Sequence, residues 1–537
     1  MFKQYRSLAF ALLSTLALAQ DEPAPLITEP ILVDGGKIGG GEESPMGGVT
    51  AWKGIPYAAP PVGPLRWKPP QLVPPWQGLM NCTDFGPACP QPPSALALPP
   101  DVQNKAEDCL RVNVWSPAKR VKDALPVFVW IHGSCGGFAR GASSEPIYEG
   151  EFLAKRKIVV VSFNYRLGVL GWLAHPALSK ESPDGVSGNY GLMDQIAALE
   201  WVKRNIGKFG GDPGKVTVAG QSGGAACIAA LMVCPKAKGL FHRAILQGAG
   251  PRWIRRKLRE PRGSLDSGED QGEFLLSRLK CSSDKAMEAL RSRSIEELLD
   301  GAQTAEGPFG VGEQWGPVID GVLIPDDPWT LWRKGEQADV PIICGGNAND
   351  GSIFTVPKGV VDVWQYQDWV KKEFPGDTGA ICKAFAPNLR DDVPAMFVEL
   401  YSDALSVEPA RFVARAHAER GRRAYLYLFS RVSTGAEKRK LGAYHGAETA
   451  YTFGNMVGPV GHDQTDHTLS RKLCDAWASF VKSGDPNVEG SVEWPACVDQ
   501  MDGWLEIGDD LRVSREVRPE RLNALAEARE KEEAPKK

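Results

Sequence analysis

Val216-Thr-Val-Ala-Gly-Gln-Ser-Gly-Gly-Ala-Ala-Cys-Ile-Ala-Ala-Leu-Met-Val233 is the stretch that decides how this chain is read. A β-branched run ends at Ala219, the turn Gly220-Gln-Ser-Gly-Gly224 follows, and a small-residue helical pattern starts at once. This is Gly-x-Ser-x-Gly with a strand before it and a helix after it. Such a turn strains the serine into an exposed position, and glycines flank it because a Cβ would clash where strand and helix come so close. The helix N-terminus behind Ser222 adds backbone N–H groups and a positive dipole end, which suit an oxyanion. A glycine-rich turn that carries a surface serine would look the same in isolation, so the surrounding chain has to decide.

Around the elbow, strand candidates lie at Leu110–Trp115, Val127–Ile131, Ile158–Phe163, Val216–Ala219, Ala244–Gln247, Val340–Cys344 and Ala424–Phe429. Several are continuous apolar runs, the signature of strands covered on both faces. Between them lie helical patterns, clearest where Leu192, Ile196, Leu199, Val202 and Ile206 fall on one face. Alternation of this kind predicts an α/β fold, a central and mainly parallel sheet flanked by helices. The stretch from about 250 to 420 is richer in helices and loops, which cap the sheet or enclose a pocket. The proline-rich segment Trp52–Trp67 reads as irregular surface chain.

Composition narrows the function class. In 537 residues, 43% are hydrophobic and 24% charged, with a net charge of −4. That is a globular chain with a sizeable core and no broad positive field for nucleic acid. Lys3 and Arg6 precede an apolar run ending in Ala17-Leu-Ala19, so residues 1–19 are expected to be a secretory signal, too short to span a bilayer. Residues 20–537 are expected to form one domain, with 515–537 a charged terminal helix or tail. No later stretch has the length and apolarity of a membrane helix. Eleven cysteines fit an oxidising compartment. Asn81-Cys-Thr83 is a glycosylation sequon that agrees with export to the extracellular space.

A serine nucleophile needs a base, an acid to orient the base, and donors for the oxyanion, with chain order serine, acid, histidine. His417 lies in a charged helix-like run and reads as a solvated side chain. His462 and His467 flank Asp463 and Asp466 in a polar segment whose spacing matches no standard metal set. His445 lies in the glycine-flanked loop Gly442-Ala-Tyr-His-Gly-Ala-Glu448, beyond a strand, where catalytic side chains of α/β folds typically lie. For the oxyanion, Val127-Phe-Val-Trp-Ile-His-Gly-Ser-Cys-Gly-Gly-Phe138 runs from a buried strand into a glycine-rich turn, and the Gly223 amide follows the nucleophile.

Taken together, the chain resembles the type-B carboxylesterases, the family that includes cholinesterases, secreted fungal-type lipases and the non-catalytic neuroligins. The similar segments are Gly54-Ile-Pro-Tyr57, Glu107-Asp-Cys-Leu110, Asn164-Tyr-Arg-Leu-Gly168, Gly188-Asn-Tyr-Gly-Leu-Met-Asp-Gln195, Phe209-Gly-Gly-Asp-Pro213, the Ser222 elbow, His445-Gly446 and Lys482-Ser-Gly-Asp-Pro-Asn487. The resemblance implies a secreted serine hydrolase of small-molecule carboxylic esters that needs no metal or cofactor. A lipase or sterol-ester hydrolase is the nearest alternative, and a neuroligin-like binding protein the alternative of another class.

The same resemblance places the triad acid at Asp350, within Gly345-Gly-Asn-Ala-Asn-Asp-Gly-Ser-Ile-Phe354. Asp320 and Asp326 are rivals by chain order. Because Asp is one methylene shorter than the family's usual Glu, the backbone here has to approach His445 more closely. The resemblance also implies ion pairs Arg66–Glu107 and Arg166–Asp194, a disulfide between Cys89 and Cys109, and a second disulfide starting at Cys281 whose partner position holds Ala289.

Three departures bear on the site. The loop Gly133–Gly137 is about two residues longer than the family's. Read back from Phe138 it offers Gly136 and Gly137 as oxyanion donors; read forward from His132 the donors shift. Gln221 replaces the usual Glu before the nucleophile. The Cys89–Cys109 segment contains no aromatic residue, so the cation–π platform for a choline ester is absent. The basic run Arg252-Trp-Ile-Arg-Arg-Lys-Leu-Arg259 reads as a solvated loop or as a steering surface for anions.

Overall fold

A computed structural model describes residues 27, 29–93, 102–133, 138–263, 265–282, 285–303, 315–354, 359–457, 460–498 and 501–533. Three short strands, β1 (Ile31–Val33), β2 (Gly36–Gly39) and β5 (Leu79–Asn81), form a small separate sheet. The large sheet has eleven strands: β3 (Glu42–Glu43), β4 (Thr50–Pro56), β6 (Arg111–Ser116), β7 (Leu125–Ile131), β8 (Val159–Phe163), β9 (Gly211–Gln221), β10 (Arg243–Gln247), β11 (Ile342–Asn347), β12 (Ala424–Phe429), β13 (Trp504–Ile507) and β14 (Leu511–Ser514).

Their spatial order is β14-β13-β12-β11-β10-β9-β7-β8-β6-β4-β3. From β13 to β8 every pairing is parallel, while both margins are antiparallel. This is the α/β-hydrolase arrangement expected from the sequence. The parallel strands are the continuous apolar runs. Val159, Val160, Val161 and Phe163 are fully buried, as are Val127 through Ile131, because helices cover both faces. On the helix Tyr190–Asn205, Leu192, Ile196, Leu199 and Val202 all face the core.

One segment departs from its reading. Thr50–Pro56 is strand β4, paired antiparallel with β6, and Trp52, Ile55, Tyr57 and Trp67 are buried. The register shifts between Trp52 and Ile55, a bulge where Gly54 has φ +72° and a Cβ would lie 2.7 Å from the Asp84 carbonyl. A proline can end an edge-type strand at such a bulge, which is why the proline-rich composition misled.

The resemblance-derived ion pairs both form. Arg66 grips Glu107 at 2.6 and 2.8 Å, and Arg166 grips buried Asp194 at 2.7 Å through both arms of its fork. The Cys89–Cys109 disulfide does not. Both cysteines are buried free thiols, and a hydrogen bond to Cys89, together with burial, pushes the Cys109 thiol well above its usual range. Cys281 is also a free thiol. Among the described residues no helix is long and apolar enough to cross a membrane. Residues 1–26, which hold the expected signal, lie outside the described residues.

Candidate active site

Ser222 leaves the C-terminal end of β9 at φ +59° and ψ −127°, a backbone region that a non-glycine residue occupies only under strain. The strain is held from both sides. The Ser222 N–H donates to the Gln247 carbonyl at the end of β10 (2.9 Å), and its carbonyl accepts from Ala226 in the helix Gly223–Leu231. The glycines have a direct steric reason. A Cβ on Gly224 would lie 2.0 Å from the Ile131 carbonyl oxygen, one on Gly220 2.7 Å from the same oxygen, and one on Gly133 2.1 Å from the Gln221 oxygen. The elbow is therefore pressed against the end of β7. With 1% of its surface accessible, Ser222 is covered, where the sequence suggested exposure.

Gly223 is the first residue of its helix, so its N–H belongs to the set that has no intrahelical acceptor. Gly136, Gly137 and Cys135 lie outside the described residues. At the near end of that loop, burial pushes the His132 imidazole down to about 3, so this histidine is neutral. Its ring stacks on Tyr165 at 4.6 Å.

Asp350 and His445 meet as the sequence suggested. Nδ1 of His445 lies 3.1 Å from Oδ1 of Asp350, with both side chains buried. The shorter acid is accommodated by stitching two loops together. Asn349 accepts from the Ala443 N–H through its side chain (3.0 Å), and its own N–H donates to the Ala443 carbonyl (3.1 Å). Asn347 Nδ2 donates to the Tyr444 carbonyl (2.7 Å) and Ser352 Oγ to the Leu441 carbonyl (2.6 Å). These bonds draw the end of β11 and the segment after it onto the His445 loop. The rivals are engaged elsewhere: Asp320 holds a turn by accepting from the Val322, Leu323 and Ile324 N–H groups, and Asp326 pairs with Lys334.

The other face of His445 meets Gln221, whose Nε2 lies 3.2 Å from Nε2 of the imidazole. With Nδ1–H donating to the carboxylate, Nε2 is an acceptor, the tautomer a base requires. Burial pulls the imidazole pKa down, but the charge and hydrogen bond of Asp350, aided by the charge of Glu448, outweigh it and hold it above its ordinary value. Trp253 stacks over His445 at 6.2 Å, and Phe354 flanks it at 5.7 Å.

Sequence reasoning missed Glu448. It is fully buried three residues after His445, where burial and the neighbouring Asp350 push its carboxyl up to about 7, and Asn347 Nδ2 donates to it at 2.5 Å. A glutamate one turn beyond a candidate base was the available signal. His417 also differs from its reading. It is buried, pushed down to about 4, and bonded through Nε2 to the Val340 carbonyl (2.7 Å), a packed neutral histidine. Asp463 caps the helix Gln464–Ser483 and, with Asp466, pairs with Arg431, so the acids beside His462 and His467 are already occupied.

Comparison with known proteins agrees with this architecture. The carboxylesterase family model matches residues 28–525. The chain is 36% identical over 468 residues to a fumonisin B1 esterase of Sphingopyxis macrogoltabida, covering 85% of this chain and 83% of that protein. It is 33% identical to a cholinesterase of Mus musculus, covering 88% of this chain and 82% of that one. A solved para-nitrobenzyl (PNB) esterase superposes with a TM-score of 0.78 at 31% identity, covering 92% of this chain and 99% of that one. The chain therefore belongs to the carboxylesterase family and is a hydrolase of esters.

Proposed function

We propose that the protein hydrolyses small-molecule carboxylic esters through an acyl-enzyme formed on Ser222. The observation that carries this reading is the buried Asp350–His445 contact directed at the strained serine elbow. The hydroxyl replaces the Gln221 amide at Nε2 of His445, gives up its proton, and attacks the ester carbonyl. The Gly223 amide and the glycine loop before Phe138, with Gly136 and Gly137, hold the oxyanion. Asp350 keeps the tautomer and favours the imidazolium, which returns the proton to the leaving alcohol; water then repeats the cycle on the acyl-enzyme.

This reading needs neither metal nor cofactor. Retention of serine, acid and base together sets it apart from a binding protein on the same fold. An organophosphonate ester is expected to add one equivalent of mass on the Ser222 peptide and to abolish p-nitrophenyl acetate hydrolysis in parallel. Labelling of another residue, or activity that survives complete labelling, would sink the assignment.

The raised His445 pKa has a consequence for pH dependence. A base works only when neutral, so raising its pKa moves the acid limb of kcat/KM upward, above pH 6.5. Glu448 adds to the rise, so Glu448→Gln is expected to move that limb to lower pH. A pH–rate profile of both proteins checks the direction, and an unmoved limb would remove Glu448 from the electrostatics of the base.

We also read the chain as an exported protein. The charged and apolar pattern of residues 1–19 supports this, as does the exposed sequon residue Asn81 on β5. Recovery of a chain beginning near Gln20 from the medium tests it; an uncleaved intracellular product would count against it.

A further inference from the structure

Gln221, the residue before the nucleophile, ends β9 with 5% of its surface accessible. Its main chain is fixed there. It pairs in register with Gln247 of β10, and a Cβ on Gly133 would lie 2.1 Å from its carbonyl oxygen. The side chain runs to the imidazole, where its amide nitrogen lies 3.2 Å from Nε2 of His445. Two glycines pack against that contact. A Cβ on Gly248, at φ +66°, would lie 3.3 Å from the amide nitrogen and 3.4 Å from Cε1 of the ring. One on Gly446, at φ +84°, would lie 3.5 Å from the same nitrogen. The amide is thus held between the turn after β10 and the His445 loop.

The contact has a direction. Nδ1–H of His445 donates to Asp350, so Nε2 carries a lone pair and the amide presents its N–H to it. A hydrogen bond given to that lone pair exists only while the imidazole is neutral, so it favours the neutral form. Among the described residues, the charges that act on the ring work the other way. Asp350, from the segment after β11, and Glu448, from the His445 loop, both favour the cation. Trp253, from the turn Pro251–Trp253, and Phe354, beyond Asp350, meet it with uncharged rings. Gln221 therefore opposes the two carboxylates at the very atom that must accept the serine proton.

We propose that Gln221 is a positioning residue that holds the base in its active, neutral form by donating to Nε2 of His445 in the resting site. The proposal rests on the esterase reading above and adds one residue to it. A carboxylate at this place would be a third anion around the imidazole and would keep it protonated. An apolar side chain would leave Asp350 and Glu448 unopposed.

Two variants of similar side-chain length test it: Gln221→Met deletes the donor, and Gln221→Glu puts an anion in its place. The acid limb of kcat/KM for p-nitrophenyl acetate reports the free enzyme, in which the amide contact is made. In Gln221→Met that limb is expected to move up by about 0.5–1 pH unit, the shift that loss of one hydrogen bond to the neutral form produces. At a fixed pH below the native limb, this is a further loss of about three- to tenfold in kcat/KM. In Gln221→Glu the limb should move up further, by about 1 unit or more. A side chain that only fills space would leave the limb in place in Gln221→Met. Thermal unfolding shows which variants are folded, and each tests the direction without the other.

An acid limb at or below the native one in either folded variant, or one no higher in Gln221→Glu than in Gln221→Met, would overturn the proposal. Failure of the esterase reading looks different, since Ser222→Ala would then hydrolyse p-nitrophenyl acetate as fast as the unaltered protein, wherever the limb lies.

Discussion

Ser222→Ala is expected to lower kcat/KM for p-nitrophenyl acetate by about 10⁴- to 10⁶-fold, the range seen when a serine nucleophile is removed from an otherwise intact site. The size of the effect follows from how few other routes to ester cleavage the site offers. His445 is buried, directed at the elbow and covered by Trp253, so water reaches it poorly as a substitute nucleophile. What remains in the variant is binding and oxyanion stabilisation. Stability should change little. Alanine keeps the Cβ, so the φ of +59° is as strained as before, and the backbone bonds to Gln247 and Ala226 do not involve the hydroxyl. Thermal unfolding and steady-state kinetics on the same preparation separate the two effects. A folded variant that keeps more than about 1% of the native rate would remove Ser222 from the mechanism, because such a loss is far below that of a nucleophile.

How much of this was legible in the chain depended on whether one local cause dominated. The elbow was readable because its glycines answer a steric demand made within a few ångströms, by the Ile131 carbonyl on the neighbouring strand. The parallel strands were readable because burial on both faces leaves an unbroken apolar run. β4 was not, since Pro56, the prolines that follow it and the bulge at Gly54 carry the composition of a loop while its pairing with β6 is a long-range fact. β13 and β14 are short and follow a polar stretch, and only long-range pairing makes them strands, β13 against β12 and β14 against β13.

The histidines show the same division. His445 stood out by its glycine-flanked loop, whereas His417 sits among charged neighbours in sequence and was read as solvated. Its ring is nonetheless turned inward, where the Val340 carbonyl meets it and Trp332 packs nearby. Burial of one ring on a charged helix is decided by what packs against that face, which local sequence does not express. The two thiols at Cys89 and Cys109 mark a further limit. Resemblance placed them side by side correctly, but adjacency does not decide whether a bond joins them.

Asp350→Asn is the second large prediction, with an expected loss of about 10⁴-fold in kcat at neutral pH and little change in fold. The carboxylate accepts the Nδ1–H of His445, leaving the Nε2 lone pair directed at the elbow. An asparagine in the same place can turn its N–H₂ toward the ring, which then places the proton on Nε2 and leaves no base facing Ser222. It also withdraws the charge that holds the imidazole pKa up, so burial is left to depress it.

The imidazole of Asp350→Asn should therefore titrate at lower pH than that of the native protein, and the residual activity should show its acid limb shifted downward. The loop geometry is expected to survive, because the stitching through Asn347, Asn349 and Ser352 uses none of the Asp350 oxygens. This separates an electrostatic loss from a positional one. Asn349→Ala removes one stitch and leaves the carboxylate, so it should lose less activity than Asp350→Asn and keep a native-like direction of imidazole shift. If Asp350→Asn retained more than about a tenth of the native kcat, far above the loss expected for a triad acid, the acid would have to be sought elsewhere. Glu448, buried beside the same histidine, would then be the residue to replace.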